Sequence, residues 1–417
     1  MSIFAQIFFM DIFNCTLHNG IRVIHHPFNS PVGYCGLIIN TGSRDELLNE
    51  HGLAHFIEHV VFKGTQKRKM FHILSRIDDV GGELNAYTTK EETCIYASFL
   101  KEDFERAVEL LYDIAFNSIF PEKELEKEKE VIIDEINSYK DNPSELIIDD
   151  FEELVFHNDP MGRNILGTPE TLETFGKPDI ENFIANNYNT DQMVLCTVGN
   201  INAAKIFRIA TKYFGKAEPN LRIKTRSSIN GYCPRKIDKN MDTFQSHIIL
   251  GNTAYDLNNP KRPGLLLLNN ILGGPGMNSR LNMALREKNG IAYNVESIYS
   301  PYSGTGIFSI YFGTDEENID RSLNIVHREL KKLRNKQLGV LQFHNAQRQL
   351  KGQITISSEN KEGLMLSIGR SFLLYNKVDS LKDIYAKIDA ITANDLQEIA
   401  NEILDEQKLS YLIYRQG

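Results

Sequence analysis

Residues 50–65 read EHGLAHFIEHVVFKGT. Within this stretch His55, Glu58 and His59 stand in H-x-x-E-H order, the inverse of the commoner H-E-x-x-H zinc helix. If the segment is helical, His55 and His59 lie one turn apart on one face, because i and i+4 side chains stack. Two neutral imidazoles at that spacing can hold one metal ion, and Glu58 is then close enough to reach a water on that ion. A helix predicted over residues 52–64 carries Leu53, Phe56, Ile57, Val60 and Val61, an apolar surface broad enough to be largely buried. Polar side chains on a buried helix need partners, which favours a site over a pair of surface histidines. A catalytic zinc takes three protein ligands and leaves one position open. The motif supplies two, so a third must come from elsewhere in the chain.

The candidate lies downstream. Pro121 opens PEKELEKEKEVIIDEINSYKD, with proline where a first helical turn tolerates it. Most of this charge run reads as a solvated face. Glu128 and Glu135 differ: they are seven residues apart, on one face two turns along. Glu135 follows the apolar run Val131, Ile132, Ile133, so its carboxylate is expected to be half-buried and must be paired or metal-bound. Glu135 is the candidate third ligand, and Glu128 a candidate to orient a ligand from behind. Lys63 and His72 read as surface or packing residues.

Composition bounds the rest. The chain has 417 residues, 41% hydrophobic and 24% charged, which suits a folded protein of two or three domains. A net charge of -9 disfavours a nucleic-acid binder and suits attraction of basic peptides. The five cysteines are scattered, with no C-x-x-C, so buried reduced thiols are expected rather than a disulfide framework. No apolar run reaches the length of a membrane span. The N-terminal MSIFAQIFFMDIF lacks a basic region and a cleavage site, so no signal peptide is read there, and Met10 is an alternative start. The expected location is the cytoplasm.

Along the chain, IFNCTL and IRVIHHP flank His18-Asn19-Gly20, a hairpin signal. VGYCGLII reads as a central strand, and residues 70–81 as an amphipathic helix. GGELNAYTTKEETCIYASFL alternates as two strands about a Lys90-Glu91-Glu92 turn. Helices follow at 101–117 and within 144–190, then the strand DQMVLCTVGNI and a closing helix. Residues 216–240 are polar, proline-containing and aperiodic, a linker. Beyond it the order of strands and helices repeats in outline, without a second H-x-x-E-H. The expected fold class is therefore α+β: two homologous domains, each a mainly antiparallel sheet packed with helices, at residues 1–215 and 241–417.

HFIEHVVFKGT resembles the zinc motif of the pitrilysin (inverzincin) family, and especially its short two-domain branch similar to the mitochondrial processing peptidase beta subunit and bacterial homologues. The E-x6-E helix of that family matches Glu128 and Glu135, and Glu135 lies 76 residues after His59, the family's spacing. Its N-A-[FY]-T strand matches Asn85-Ala86-Tyr87-Thr88, and its R-x6-Y matches Arg286 and Tyr293. The resemblance implies that His55, His59 and Glu135 hold one Zn2+ per chain, with Glu58 as general base. It implies that Asn85, Ala86, Tyr87 and Thr88 bind an extended peptide by edge addition, and that Arg286 and Tyr293 act near the scissile bond. It further implies a chain that is half of a clamshell, closed by a second copy or a paralogous partner. The function expected is zinc-dependent endopeptidase action on peptides or presequences. The alternative is a non-catalytic partner subunit of a processing-peptidase-like complex.

Overall fold

Gly20, with φ at +96°, makes the predicted tight turn and joins the first two strands. The structure is a computed structural model and describes residues 12–227, 229 and 231–417. The apolar run before Ile12, including Met10, lies outside the described residues. The first half runs β1 (Phe13–Thr16), β2 (Arg22–Pro27), β3 (Val32–Ile39), α1 (Leu53–Val60), α2 (Met70–Asp78), β4 (Glu83–Thr88), β5 (Thr93–Leu100), α3 (Phe104–Asn117), α4 (Glu122–Lys140), α5 (Pro143–Val155), α6 (Pro169–Thr174), α7 (Lys177–Asn187), β6 (Met193–Gly199) and α8 (Ala203–Tyr213). The second runs β7 (Lys236–Met241), β8 (Ser246–Thr253), α9 (Arg262–Gly273), a wide helical turn Asn282–Glu287, β9 (Val295–Tyr302), β10 (Thr305–Thr314), α10 (Ile319–Asn335), α11 (Val340–Ser357), α12 (Lys361–Tyr375), α13 (Leu381–Asp389), α14 (Ala393–Ile403) and β11 (Ser410–Gln416).

The two sheets carry the duplication. The first has the order β1-β2-β6-β3-β5-β4, and the second β7-β11-β8-β10-β9. Without β1 the orders are identical strand for strand. Each sheet has one parallel pair in the same place, β2 with β6 and β7 with β11, and is otherwise antiparallel. The fold is thus α+β with two repeats, as the sequence pattern implies. The structure corrects the reading of 216–240 as linker throughout, since its last residues enter β7. That strand is exposed or half-exposed along its length, so it shows no apolar alternation and composition alone reads it as linker.

The chain divides into two compact units that exchange a helix each. The first unit comprises 1–136, 165–225 and 355–381, and the second 137–164, 226–354 and 382–417. In the second unit, α5 packs Ile147, Phe151 and Leu154 against Ile249, Leu412 and Tyr414 of the second sheet. In the first, α12 packs Met365, Ile368, Phe372 and Leu373 against Ile24, Ile38, Val194 and Cys196. Burying four such side chains is worth at most roughly 6–12 kcal/mol, enough to hold a helix in place. Gly369 sets the approach: a Cβ there would lie 2.2 Å from Ile38 Cδ1 and 2.9 Å from Cys196 Cβ. Arg22 of β2 finishes the helix, its guanidinium donating to the carbonyls of Phe372 and Leu373 at 2.9 and 3.2 Å. Cys35, Cys94 and Cys196 are buried free thiols, Cys15 is half-buried, and Cys233 is exposed, against the expectation that the thiols are buried.

Candidate metal centre

The helix that carries the motif is shorter than its apolar pattern suggests, ending at Val60 rather than Gly64. It starts at Gly52, where φ is +95° and an added Cβ would come within 2.6 Å of Gly167 Cα. Glycine supplies no side-chain cap. The buried Glu46 does so from the preceding loop, accepting the N–H of Gly52 at 3.0 Å and of Ala54 at 2.8 Å. A carboxylate at a helix N-terminus satisfies orphan donors and complements the helix dipole. The same loop is bonded to the β4–β5 hairpin tip, Ser43 N–H to Thr89 O at 3.1 Å and Arg44 N–H to Lys90 O at 2.8 Å. Arg44 also pairs with Glu91 at 2.6 Å, both nearly buried. α1 is therefore tied through this loop to β4, against which it packs.

Across from α1, α4 presents its two glutamates. Glu135 Oε2 lies 3.7 Å from His55 Nε2 and 3.5 Å from His59 Nε2. One ligand atom from each of the three residues falls within 4.8 Å of the others. A tetrahedral ion about 2.0–2.2 Å from each donor would set them roughly 3.3–3.6 Å apart, so this donor set fits one zinc. Burial, then the neighbouring His59, pulls the His55 pKa down to about 3, so the ring is neutral at pH 7, as a ligand must be. Its Nδ1 is buried without a hydrogen-bond partner among the described residues.

Glu128 stands behind His59, with Oε1 at 3.1 Å from His59 Nδ1. With Nδ1–H donated there, Nε2 keeps its lone pair towards Glu135 and His55. The other oxygen of Glu128 is 2.6 Å from Lys63 Nζ. Lys63 is thus no spare surface charge. It lies four residues after His59, in the turn just past the end of α1, and compensates a carboxylate that is only 8% exposed. His72 is exposed on α2, as expected.

Glu58 is half-buried on the same helix. Desolvation raises its pKa, and the charge of Glu135 adds to this, while Thr88 at the end of β4 and His59 oppose it. The buried Tyr188 lies near enough for the Glu58 charge to help burial raise its phenol. The strand holding Asn85, Ala86, Tyr87 and Thr88 is β4, the last strand of its sheet, paired only with β5 among the described residues. Asn85 is exposed, and Ala86, Tyr87 and Thr88 are half-buried.

Arg286 and Tyr293 belong to the second unit. Arg286 lies in the last turn of the wide helical segment, next to its final residue Glu287, and its guanidinium sits 5.0 Å from the Tyr293 ring centroid. Both are exposed, Tyr293 by 75%. Lys63 reads from the sequence as a surface or packing residue, which its pairing with Glu128 corrects, and the sequence does not single out Glu46 or Tyr188. For Lys63 the i+4 spacing after His59 was a usable signal. For Glu46 and Tyr188 no local pattern pointed to the site.

An inverted two-histidine helix facing a glutamate helix, on one half of a duplicated α+β chain, defines the class of zinc-peptidase-like proteins. The comparisons narrow it. Residues 23–169 match the family described as insulinase (peptidase family M16), and residues 174–350 the family described as peptidase M16 inactive domain. An uncharacterized zinc protease of Bacillus subtilis, YmxG, is 32% identical over 404 residues, covering 96% of this chain and 98% of that one. The mitochondrial-processing peptidase subunit beta of Saccharomyces cerevisiae is 29% identical over 410 residues, covering 94% and 89%. A crystal structure of a protease from Helicobacter pylori superposes with a TM-score of 0.87 at 20% identity, over 97% of this chain and 99% of that one. The chain belongs to the M16 peptidase family, in the short branch that includes the processing-peptidase beta subunit and bacterial zinc proteases. No helix among the described residues is long and apolar enough to cross a membrane.

Proposed function

We propose that the protein is a zinc-dependent endopeptidase that hydrolyses peptides or presequences held in extended form. The observation that carries this is the convergence of His55, His59 and Glu135 beside a desolvated Glu58. His55 and His59 would hold zinc through Nε2 and Glu135 through a carboxylate oxygen. Bound zinc lowers the pKa of a coordinated water and polarises a carbonyl. Glu58, its pKa raised by burial, would take a proton from the attacking water and deliver it to the leaving amine. Glu128 fixes the His59 ring, and Lys63 fixes Glu128. The free edge of β4 suits main-chain pairing with an extended substrate over Asn85–Thr88.

The Arg286–Tyr293 pair, exposed and preformed, would hold substrate near the scissile bond and donate the Tyr293 hydroxyl to an oxyanion. In this reading a second chain, identical or paralogous, closes a chamber and supplies that pair to the zinc of the first. The relative named mitochondrial-processing peptidase subunit beta favours such an assembly. The alternative, a non-catalytic partner, draws on the description "inactive domain", but that family matches residues 174–350, outside the segment with the candidate ligands. Metal analysis tests the ligand set: the wild type should retain about one zinc per chain after dialysis and Glu135→Ala well below one. Equal zinc in both would remove Glu135 from the site.

A further inference from the structure

The tip of the β4–β5 hairpin, Lys90-Glu91-Glu92, is made of charged residues, and all three are buried. A surface turn of this composition would be solvated. Burial of Glu92 is made tolerable by two partners. Tyr87 Oη, on β4, donates to Glu92 Oε1 at 2.9 Å, and Arg370 Nε, on α12, donates to Glu92 Oε2 at 2.7 Å. The Glu92 side chain is only 6% exposed, whereas that of Arg370 is 53% exposed. Arg370 is one residue after Gly369, where an added Cβ would run into Ile38 and Cys196 of the sheet. The helix is therefore anchored where it extends its arginine to the hairpin. The other side of the tip is held by Arg44 and Glu91.

We infer that Arg370 and Glu92 are positioning residues for peptide binding: they hold Tyr87, and with it the free edge of β4, in the extended register that an incoming peptide must pair with. A helix from the second half of the chain thereby sets the substrate edge beside the metal centre of the first. The inference deepens the proposed function and rests on its reading of β4 as the peptide-binding edge. An edge strand is paired on one side only, so its order depends on what fixes its ends and side chains. Without Arg370, Glu92 keeps a single neutral donor in a buried place, and the hairpin tip should loosen. The expected consequence is weaker substrate capture with unchanged chemistry, because neither residue reaches Glu58 or the candidate ligands.

The test uses full-length protein and an internally quenched, unstructured, lysine- and arginine-containing peptide. Arg370→Met and Glu92→Gln should each raise KM about 5–20-fold with kcat within about twofold and zinc content unchanged. Arg370→Lys should recover part of the loss. Amide exchange without substrate should quicken at residues 84–88 in Arg370→Met. Glu92→Gln keeps the side-chain shape and removes only the charge that pairs with Arg370, so the assignment does not depend on the arginine variant folding. Unchanged KM in both variants overturns the inference, as does a fall in kcat with KM constant. A wild type that neither holds zinc nor cleaves the peptide would instead sink the peptidase reading, which is a separate outcome.

Discussion

Glu58, Glu128 and Glu135 have the same side chain and different surroundings, and their proposed roles follow from this. Glu128 is buried between an imidazole and an ammonium group, so it can orient but is not free to ligate. Its conversion to Gln should weaken zinc binding about 10–100-fold in a chelator competition, the usual effect of losing a partner behind a ligand. A second residue-scale prediction concerns His25, buried in β2 with Nδ1 2.9 Å from Thr197 Oγ1. Burial lowers its pKa from 6.5 to about 4. Between those values the unfolded chain binds the proton and the folded chain does not. Its contribution is therefore complete above pH 6.5 and lost as the pH falls to 4, amounting to about 3 kcal/mol. Denaturant unfolding from pH 7 to 4 should lose stability less steeply in His25→Phe than in wild type; parallel curves would contradict the assignment. At this scale the sequence showed the chemistry but not the neighbours. The convergence of His55, His59 and Glu135, the candidate ligands, was legible from spacing and from where an acidic helix turns apolar. The buried Lys90-Glu91-Glu92 tip was not, because its arginine partners lie 47 and 278 residues away in the chain.

Elements were legible where the side-chain period was clean. The β4–β5 hairpin, with its alternation, and the long α4, with its proline start, formed as expected. α12 was not read at all: Leu364, Met365, Leu366, Ile368, Phe372 and Leu373 surround it on several sides, so no single stripe marks it as amphipathic. β7 escaped for the opposite reason, having almost nothing to bury. Two predictions belong here. Glu46→Ala should cost about 2–3 kcal/mol in denaturant unfolding, since it leaves buried N–H groups at the start of α1 without an acceptor. Gly369→Leu should cost at least as much, because the side chain would have to displace Ile38 from under α12; a neutral result would mean α12 can slide on the sheet.

For the whole molecule the repeat is the governing fact. The two halves share a strand order, yet only the first has histidines on the helix that follows the β3 or β8 position, α1 but not α9, and only the second carries the Arg286–Tyr293 pair. A division of labour between copies follows in the proposed assembly. Mixing inactive Glu58→Gln and Arg286→Ala chains under conditions of subunit exchange should restore activity to about a quarter of wild type, through the one intact composite site of each mixed dimer. No recovery despite demonstrated exchange would contradict action in trans.

The central claim is that this family member cleaves peptides with Glu58 acting beside bound zinc. Zinc content and hydrolysis of an unstructured basic peptide, measured side by side for wild type and Glu58→Gln, test it most directly. The account predicts about one zinc per chain in both proteins, with kcat lower by about 10²–10⁴-fold in the variant. Equal hydrolysis by both, or stoichiometric zinc in a wild type that cleaves nothing, would contradict it.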